Sequence, residues 1–438
     1  MSNTSTIHIK TDFDCKVYDY GQELGTTQAD TYFNIELRKG EHELTFVFTG
    51  DESISKTVNY IVEDANCDYR LIVEIAQNIC DKAKEYYNTK NYSAAYSIFI
   101  PTANKGIAEA LYYLGLFHKN GYFVKKDEKE AINYLTKAAD LGYAEAQWQL
   151  ALHYYDPWDG FTNISVYWIE KAALLGHAEA QYEMGHCFEF GNYVEKDLSN
   201  AMRWYSKASK QGNSRASYRL GLCYEKGNGV KQNYDTAIKY YIKAAEHGDE
   251  QAQMHLAYCY GQGKIVDKDF SKEMQWYTEA AMQGNAEAQY TLCLNYLESE
   301  LKVQKSDRNY NNFIEWFIEL EKNERSYGHY YYSMVFKRII DLKDSALFCQ
   351  IGYHFDLYTE EPNYQKAFDW YSKAAEIGSA DAEYELGSYY EKGIVVEKDL
   401  EKAIELYMKA ISHGYQEKGY VPNQQKSGYE EALRRLNV

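Results

Sequence analysis

Two hydrophobic periods divide the chain. Over residues 1–75 apolar side chains alternate with polar ones: Ile7 and Ile9, then Phe33, Ile35 and Leu37, then Leu44, Phe46 and Phe48. Val58, Tyr60 and Val62, and then Tyr69, Leu71, Val73 and Ile75, continue the pattern. A period of two lays one face of an extended strand on a core. Arg38-Lys39-Gly40 supplies one turn, and Gly21 and Gly25 punctuate a second turn region. Short alternating strands at this spacing predict a small antiparallel β-sandwich over residues 1–75. From residue 76 the period becomes helical. Residues 76–107 predict an entry helix pair carrying Tyr86, Tyr87, Tyr92, Ala95 and Phe99, joined to the strands without a linker.

A longer period then takes over. Ala178–Asn213 reads AEAQYEMGHCFEFGNYVEKDLSNAMRWYSKASKQGN, and Ala108–Tyr143, Ser214–Asp249, Glu250–Asn285 and Ala380–Tyr415 spell the same pattern over 36 residues. A shorter copy of 34 residues fills Ala144–His177. A repeat of this size means one supersecondary unit stacked on itself, because no single unit can bury its own apolar stripe.

Each unit predicts two helices. The first opens at an Ala-x-Ala step and stops at a glycine in register (Gly191, Gly227, Gly263, Gly393), where a left-handed C-cap is needed. A valine three residues on (Val194, Val230, Val266, Val396) is expected to plug the turn. Asp127, Asp197, Asn233, Asp269 and Asp399 stand where a side-chain oxygen caps the second helix. That helix carries an aromatic column, Tyr134, Trp168, Trp204, Tyr240, Trp276 and Trp370, expected to fill the core beside small residues such as Gly185 and Gly387.

The pattern of AEAQY-x-LG, G-x-x-V-x-KD and WY-x-KAA-x-x-G resembles the Sel1-like repeat (SLR), a family akin to tetratricopeptide repeats. The resemblance covers residues 108–415, with a diverged stretch at 298–344. It implies a mostly α protein, a right-handed α/α solenoid of helix pairs, working as a binding scaffold. At the N-terminus, Val17-Tyr18-Asp19-Tyr20-Gly21, Gly25-Thr26-Thr27 and Leu37–His42 resemble a PEGA-type domain, which implies a surface-binding or spacer module; a plain β cap on the first helix explains the strands equally well. Residues 416–438 are expected to form a polar loop and a short helix that covers the last repeat.

Two places break the repeat. Asp156–Phe161 replaces the usual turn, and Trp158 within it reads either as a partner anchor or as a plug for the missing valine. Glu298–Asn312 reads as a long polar loop, followed by an extra amphipathic segment, Gly328–Leu342, that either packs as filler or offers a lone helix to a partner.

Composition narrows the function. A net charge of −18 argues against a nucleic-acid backbone as the partner and leaves basic peptides or protein patches open. The N-terminus has no secretory pattern and no apolar run reaches membrane length, so the expected address is the cytoplasm. Eight cysteines are present, and Cys187, Cys223 and Cys259 recur one repeat apart, too far for disulfides and fit as core fillers. No catalytic set, cofactor loop or metal motif stands above background; His153 and His186 are the one imidazole pair to compare. Two other readings remain: a permanent structural subunit docked through the β domain, and a hydrolase hidden in the diverged region.

A protein partner is therefore expected on the first-helix face, at positions 2, 5, 9 and 12, by analogy with tetratricopeptide arrays. That face supplies Tyr112, Trp148, Glu179, Tyr182, His186, Tyr218, Glu225, Tyr258, Tyr290 and Tyr384, with Trp158 added from its loop. Such a face is aromatic and acidic, suited to Lys- or Arg-bearing partners. Equally, position 5 is where packing shared between neighbouring repeats would fall.

Overall fold

The computed structural model describes residues 4–11, 13–29, 31–38, 40–50, 55–62, 68–73, 76–156, 160–323, 327–358 and 361–415. It falls into two compact units, Met1–Gln232 and Asn233–Val438. The expected cap at 416–438 and Trp158 lie outside the described residues.

Among the described residues the first unit opens with seven strands: β1 (Thr4–Thr11), β2 (Cys15–Asp19), β3 (Gln22–Thr27), β4 (Tyr32–Arg38), β5 (Gly40–Phe48), β6 (Ser55–Val62) and β7 (Asp68–Val73). They form two sheets, β4-β1-β7 and β3-β2-β5-β6. Ile7, Ile9, Ile35 and Leu37 of the first sheet and Val17, Leu44 and Phe46 of the second are buried in one cluster, as the alternation requires. Two features differ from the sequence reading. β1 and β7 pair in parallel, Ile7 opposite Tyr69, so the sandwich is not wholly antiparallel. The stretch around Gly21 and Gly25 is more than a turn: it is the β2–β3 hairpin, with a bulge between Val17 and Tyr18.

Among the described residues nine helices follow in this unit: α1 (Ala76–Asn88), α2 (Tyr92–Asn104), α3 (Ala108–Asn120), α4 (Glu128–Asp140), α5 (Ala144–His153), α6 (Asn163–Leu174), α7 (Ala178–Phe190), α8 (Leu198–Lys210) and α9 (Ser214–Lys226). The cluster that fills the sandwich continues through Ile79, Cys80 and Ala83 into Phe99 and Leu114, so sheets and first helices share a core. Asn78 donates its amide to the Ser55 carbonyl at 2.8 Å across that junction.

The second unit holds α10 (Tyr234–Glu246), α11 (Glu250–Gln262), α12 (Phe270–Met282), α13 (Ala286–Leu301), α14 (Asn311–Glu321), α15 (Gly328–Leu342), α16 (Ser345–Tyr353), α17 (Tyr364–Glu376), α18 (Ala380–Lys392) and α19 (Leu400–Ser412). A π-helical turn, His354–Tyr358, extends α16.

Local chemistry explains the helix limits. Asp127, Asp197, Asn233, Asp269 and Asp399 each accept backbone N–H groups in the first turn of the helix that follows. Gly191 ends α7 at φ 78°, a left-handed backbone that favours glycine. α13 lacks that stop, since Ser299 stands in the register of Gly191, and the helix runs on to Leu301. The expected loop 298–312 is thus helical at its start. Its end is anchored too: Tyr310 is buried, and its hydroxyl and Arg308 both donate to Asp344, at 2.9 and 2.7 Å. α15 buries Val335 and Ile339 and exposes Tyr330 and Met334.

The core column of the second helices is displaced by one residue from the sequence reading. Tyr134, Trp168, Trp204, Tyr240 and Trp276 are half-buried; Trp370 alone of that column is buried. In five of the six units the next residue is the deeper one, and Leu135, Ile169, Tyr205, Tyr241 and Tyr371 are fully buried or nearly so, while Tyr277 is half-buried like Trp276. Gly185 shows why: a Cβ there would stand 2.6 Å from the Tyr205 ring. Glycine lets the first helix close on the ring of the second.

Candidate protein-interaction face

The alanine at position 3 of each first helix sets its face. Ala110, Ala146, Ala180, Ala216, Ala252 and Ala382 are all fully buried, which turns positions 2 and 5 toward the turn that begins the next repeat. Side chains from that turn decide what position 5 does. Tyr112 of α3 packs on Tyr143, centroids 5.1 Å apart, where Tyr143 immediately precedes α5. Trp148 of α5 stacks on His177 at 5.2 Å, and His177 precedes α7. Tyr384 of α18 stacks on Tyr415 at 4.4 Å with the rings 8° apart. The same contact recurs in three repeats: a position-5 aromatic lies on the last residue of its own unit.

The sequence-predicted site therefore separates into groups. Tyr182 and Tyr384 are buried, 8% and 5% exposed, and present little surface to a partner. Arg215 covers the Tyr182 ring at 4.4 Å. Tyr112, Trp148, Tyr218, Tyr290 and Glu225 are half-buried. Tyr258 is 48% exposed, with Lys264 donating to its hydroxyl at 3.2 Å. Tyr290 stacks on Tyr331 of α15 at 4.9 Å, which ties the extra helix to the repeat beside it.

These helix pairs, with their caps, glycine stops and small-residue contacts, match a known family. The Sel1 repeat matches seven segments, 108–143, 144–177, 178–213, 214–249, 250–285, 349–379 and 380–415, more than half of the chain. The chain belongs to the Sel1 repeat family. Among solved structures it is similar to a protective antigen of uropathogenic Escherichia coli strains that displays an SLR fold, at 30% identity over 76% of each chain with a TM-score of 0.50. A Sel1 repeat protein from Oxalobacter formigenes is 31% identical over 57% of this chain and 98% of its own, with a TM-score of 0.48. A comparison with curated proteins finds no match. Sel1 repeat proteins are generally protein-interaction scaffolds, so the remaining question is which surface of these repeats is free to bind.

Charge answers part of it. Of the position-2 carboxylates, Glu109 is engaged by Lys84 at 3.0 Å, and Glu179 by Arg215 and by Asn213 at 2.9 Å. Glu145 is exposed and makes no hydrogen bond or ion pair among the described residues. Glu287 of α13 is exposed and its carboxylate is unpaired in the same sense. Position 12 is occupied structurally: Tyr205 donates to Glu189 at 2.6 Å and Tyr407 to Glu391 at 2.7 Å. His186 packs on Phe190 at 4.5 Å, and burial lowers its pKa, so it is a neutral ring with a buried Nδ1 that lacks a hydrogen bond. His153 instead faces Glu128 at 3.5 Å, and among the described residues the two imidazoles have no partner in common. Among the described residues no three His, Cys, Asp or Glu side chains are grouped for a metal ion, and no helix is long and apolar enough to cross a membrane. The seven described cysteines are free and buried.

Sequence reasoning missed Tyr143, His177 and Tyr415, the second halves of the stacks, although each stands at the fixed position before or after an Ala-x-Ala unit. It also missed Glu183 and Glu385, equivalent residues of α7 and α18. Burial pushes each carboxyl up to about 7, against the opposing pull of Arg215 on Glu183 and of the Tyr353 hydroxyl on Glu385.

Proposed function

We propose that this Sel1 repeat protein is a non-enzymatic scaffold that takes a Lys- or Arg-bearing peptide or helix on the first-helix face of α3 and α5. One observation carries the reading: Glu145, exposed and unpaired, stands within electrostatic reach of Tyr112, Tyr143 and His177, beside Trp148 on the same helix. Pre-stacked aromatics lose little entropy when a side chain lands on them, and a free carboxylate beside them selects cations. The neighbouring carboxylates Glu109 and Glu179 already have cationic partners, so Glu145 is the charge left for a ligand. In the second unit, Glu287 with the Tyr290–Tyr331 stack offers the same chemistry separately. The absence of bonded cysteines among the described ones fits a reducing compartment and supports a cytoplasmic address. The two N-terminal sheets, with their PEGA-like sequence, are read as the module that holds this array in place.

The test is a selection from a random peptide library on the full chain, followed by fluorescence anisotropy with the selected sequences. Basic peptides with an apolar residue are expected to dominate, and Glu145→Lys should weaken them about tenfold or more with an unchanged circular-dichroism spectrum. Unchanged affinity in Glu145→Lys removes the proposal.

A further inference from the structure

A second surface has the opposite sign. On a chain with 65 acidic residues and a net charge of −18, one depression contains no carboxylate at all. It measures about 560 Å³ and lies on the exposed face of α8, walled by the turn at Gly229 and Val230. That wall is held close by Gly229, at φ 71°, where a Cβ would stand 2.9 Å from Leu198. Arg203, Lys207 and Lys210 are exposed on this face, and Met202, Trp204 and Val230 are half-buried around them.

The three cations fall at i, i+4 and i+7, on one stripe of the helix. Among the described residues none makes an ion pair; the ammonium of Lys207 lies over the Trp204 ring at 4.0 Å. Elsewhere on this chain cations at such spacing find carboxylates, as Lys402 does with Glu405 at 3.0 Å. The stripe departs from its repeat at Arg203 and Lys210, while Lys207 is the lysine common to the repeats. The same three positions read Asn133, Lys137 and Asp140 in α4, and Gln275, Glu279 and Met282 in α12. The next second helix, α10, keeps two of the cations, Lys239 and Lys243, and puts Glu246 at the third position, so fold alone does not demand three cations without a carboxylate.

We propose that the α8 face is a second binding site, for an acidic peptide segment, distinct from the α3–α5 face. Its carboxylates pair with Arg203, Lys207 and Lys210, and an apolar side chain seats against Trp204, Met202 and Val230. Charge complementarity sets the occupant: three exposed cations with no carboxylate in the lining attract a segment that carries carboxylates. A scaffold with an acidic face and a basic cleft binds two partners of opposite charge at once.

The test uses the full chain and a fluorescein-labelled synthetic peptide of alternating Glu and Leu, with a Lys–Leu peptide and a single-stranded oligonucleotide of equal charge as comparisons. The acidic peptide is expected to bind, and to bind at least tenfold more weakly to Arg203→Glu/Lys207→Glu. Both substituted positions are exposed, so circular dichroism should not change. Trp204→Phe, which keeps an aromatic floor, is expected to reduce affinity less than the charge reversal does. Glu145→Lys should leave the acidic peptide's affinity unaltered, which separates this site from the first. Equal binding to wild type and the double variant, or oligonucleotide binding as tight as peptide binding, overturns the proposal.

Discussion

Tyr205 and Trp204 stand side by side on α8, and the structure assigns them opposite weights. Tyr205 is fully buried over Gly185, and its hydroxyl donates to Glu189 at 2.6 Å. Truncation to alanine removes a packed ring and a hydrogen bond to a carboxylate, so a loss of about 3–5 kcal/mol is expected. Trp204 is half-buried, and its truncation should cost roughly half of that. Gly185→Ala places a methyl 2.6 Å from the Tyr205 ring, an overpacking worth about 1–3 kcal/mol. In the Tyr205→Ala background that clash is gone, so the two substitutions should be coupled by at least about 1 kcal/mol. Urea unfolding followed by far-UV circular dichroism gives the differences where the slope is unchanged, and native-state hydrogen exchange of α7 and α8 gives them locally. A Trp204→Ala loss equal to or above that of Tyr205→Ala refutes the packing. So does an additive Gly185→Ala/Tyr205→Ala pair.

Two further outcomes follow from buried charge. Glu183 and Glu385 have folded pKa values near 7, above the ordinary 4.5, so the folded state binds protons that the unfolded state has released. Stability should therefore fall as pH rises from about 4.5 through about 7, by up to ~3 kcal/mol per residue, and Gln at either position should flatten that fall and raise the Tm at alkaline pH. A pH–Tm profile unaltered by Glu183→Gln and Glu385→Gln contradicts it. In the diverged region, Asp344 caps α16 through the Ala346 and Leu347 N–H groups and holds both Arg308 and Tyr310. Asp344→Ala should cost about 3–5 kcal/mol, with Asp344→Asn between it and wild type, in the same urea assay. A cost under about 1 kcal/mol would show that the network is not holding the segment.

The repeat made the helices, their caps and their stops readable, because each rests on local chemistry repeated in register: Asp197 before α8, Gly191 after α7. Depth within a helix was harder to read. Trp204 and Tyr205 are adjacent aromatics, and only the approach of Gly185 on the facing helix decides which one is buried. The parallel pairing of β1 with β7 joins residues far apart in the chain, and no local pattern encodes it. The first-helix face was legible as a set of positions but not as free surface. Whether Tyr182 is open depends on Arg215 folding over it, and whether Glu179 carries usable charge depends on the same arginine. The α8 stripe was present in the sequence as Arg203, Lys207 and Lys210, yet it gains meaning only once those cations are found without carboxylates beside them.

The proposed function puts a basic protein segment on the first-helix face of α3 and α5. Hydrogen–deuterium exchange of the full chain, with and without a saturating selected peptide, tests it most directly. Slowed exchange across Ala108–Asn120 and Ala144–His153, abolished by Glu145→Lys, is the predicted result. Slowed exchange confined to the strands of the N-terminal sheets would contradict it and place recognition there instead.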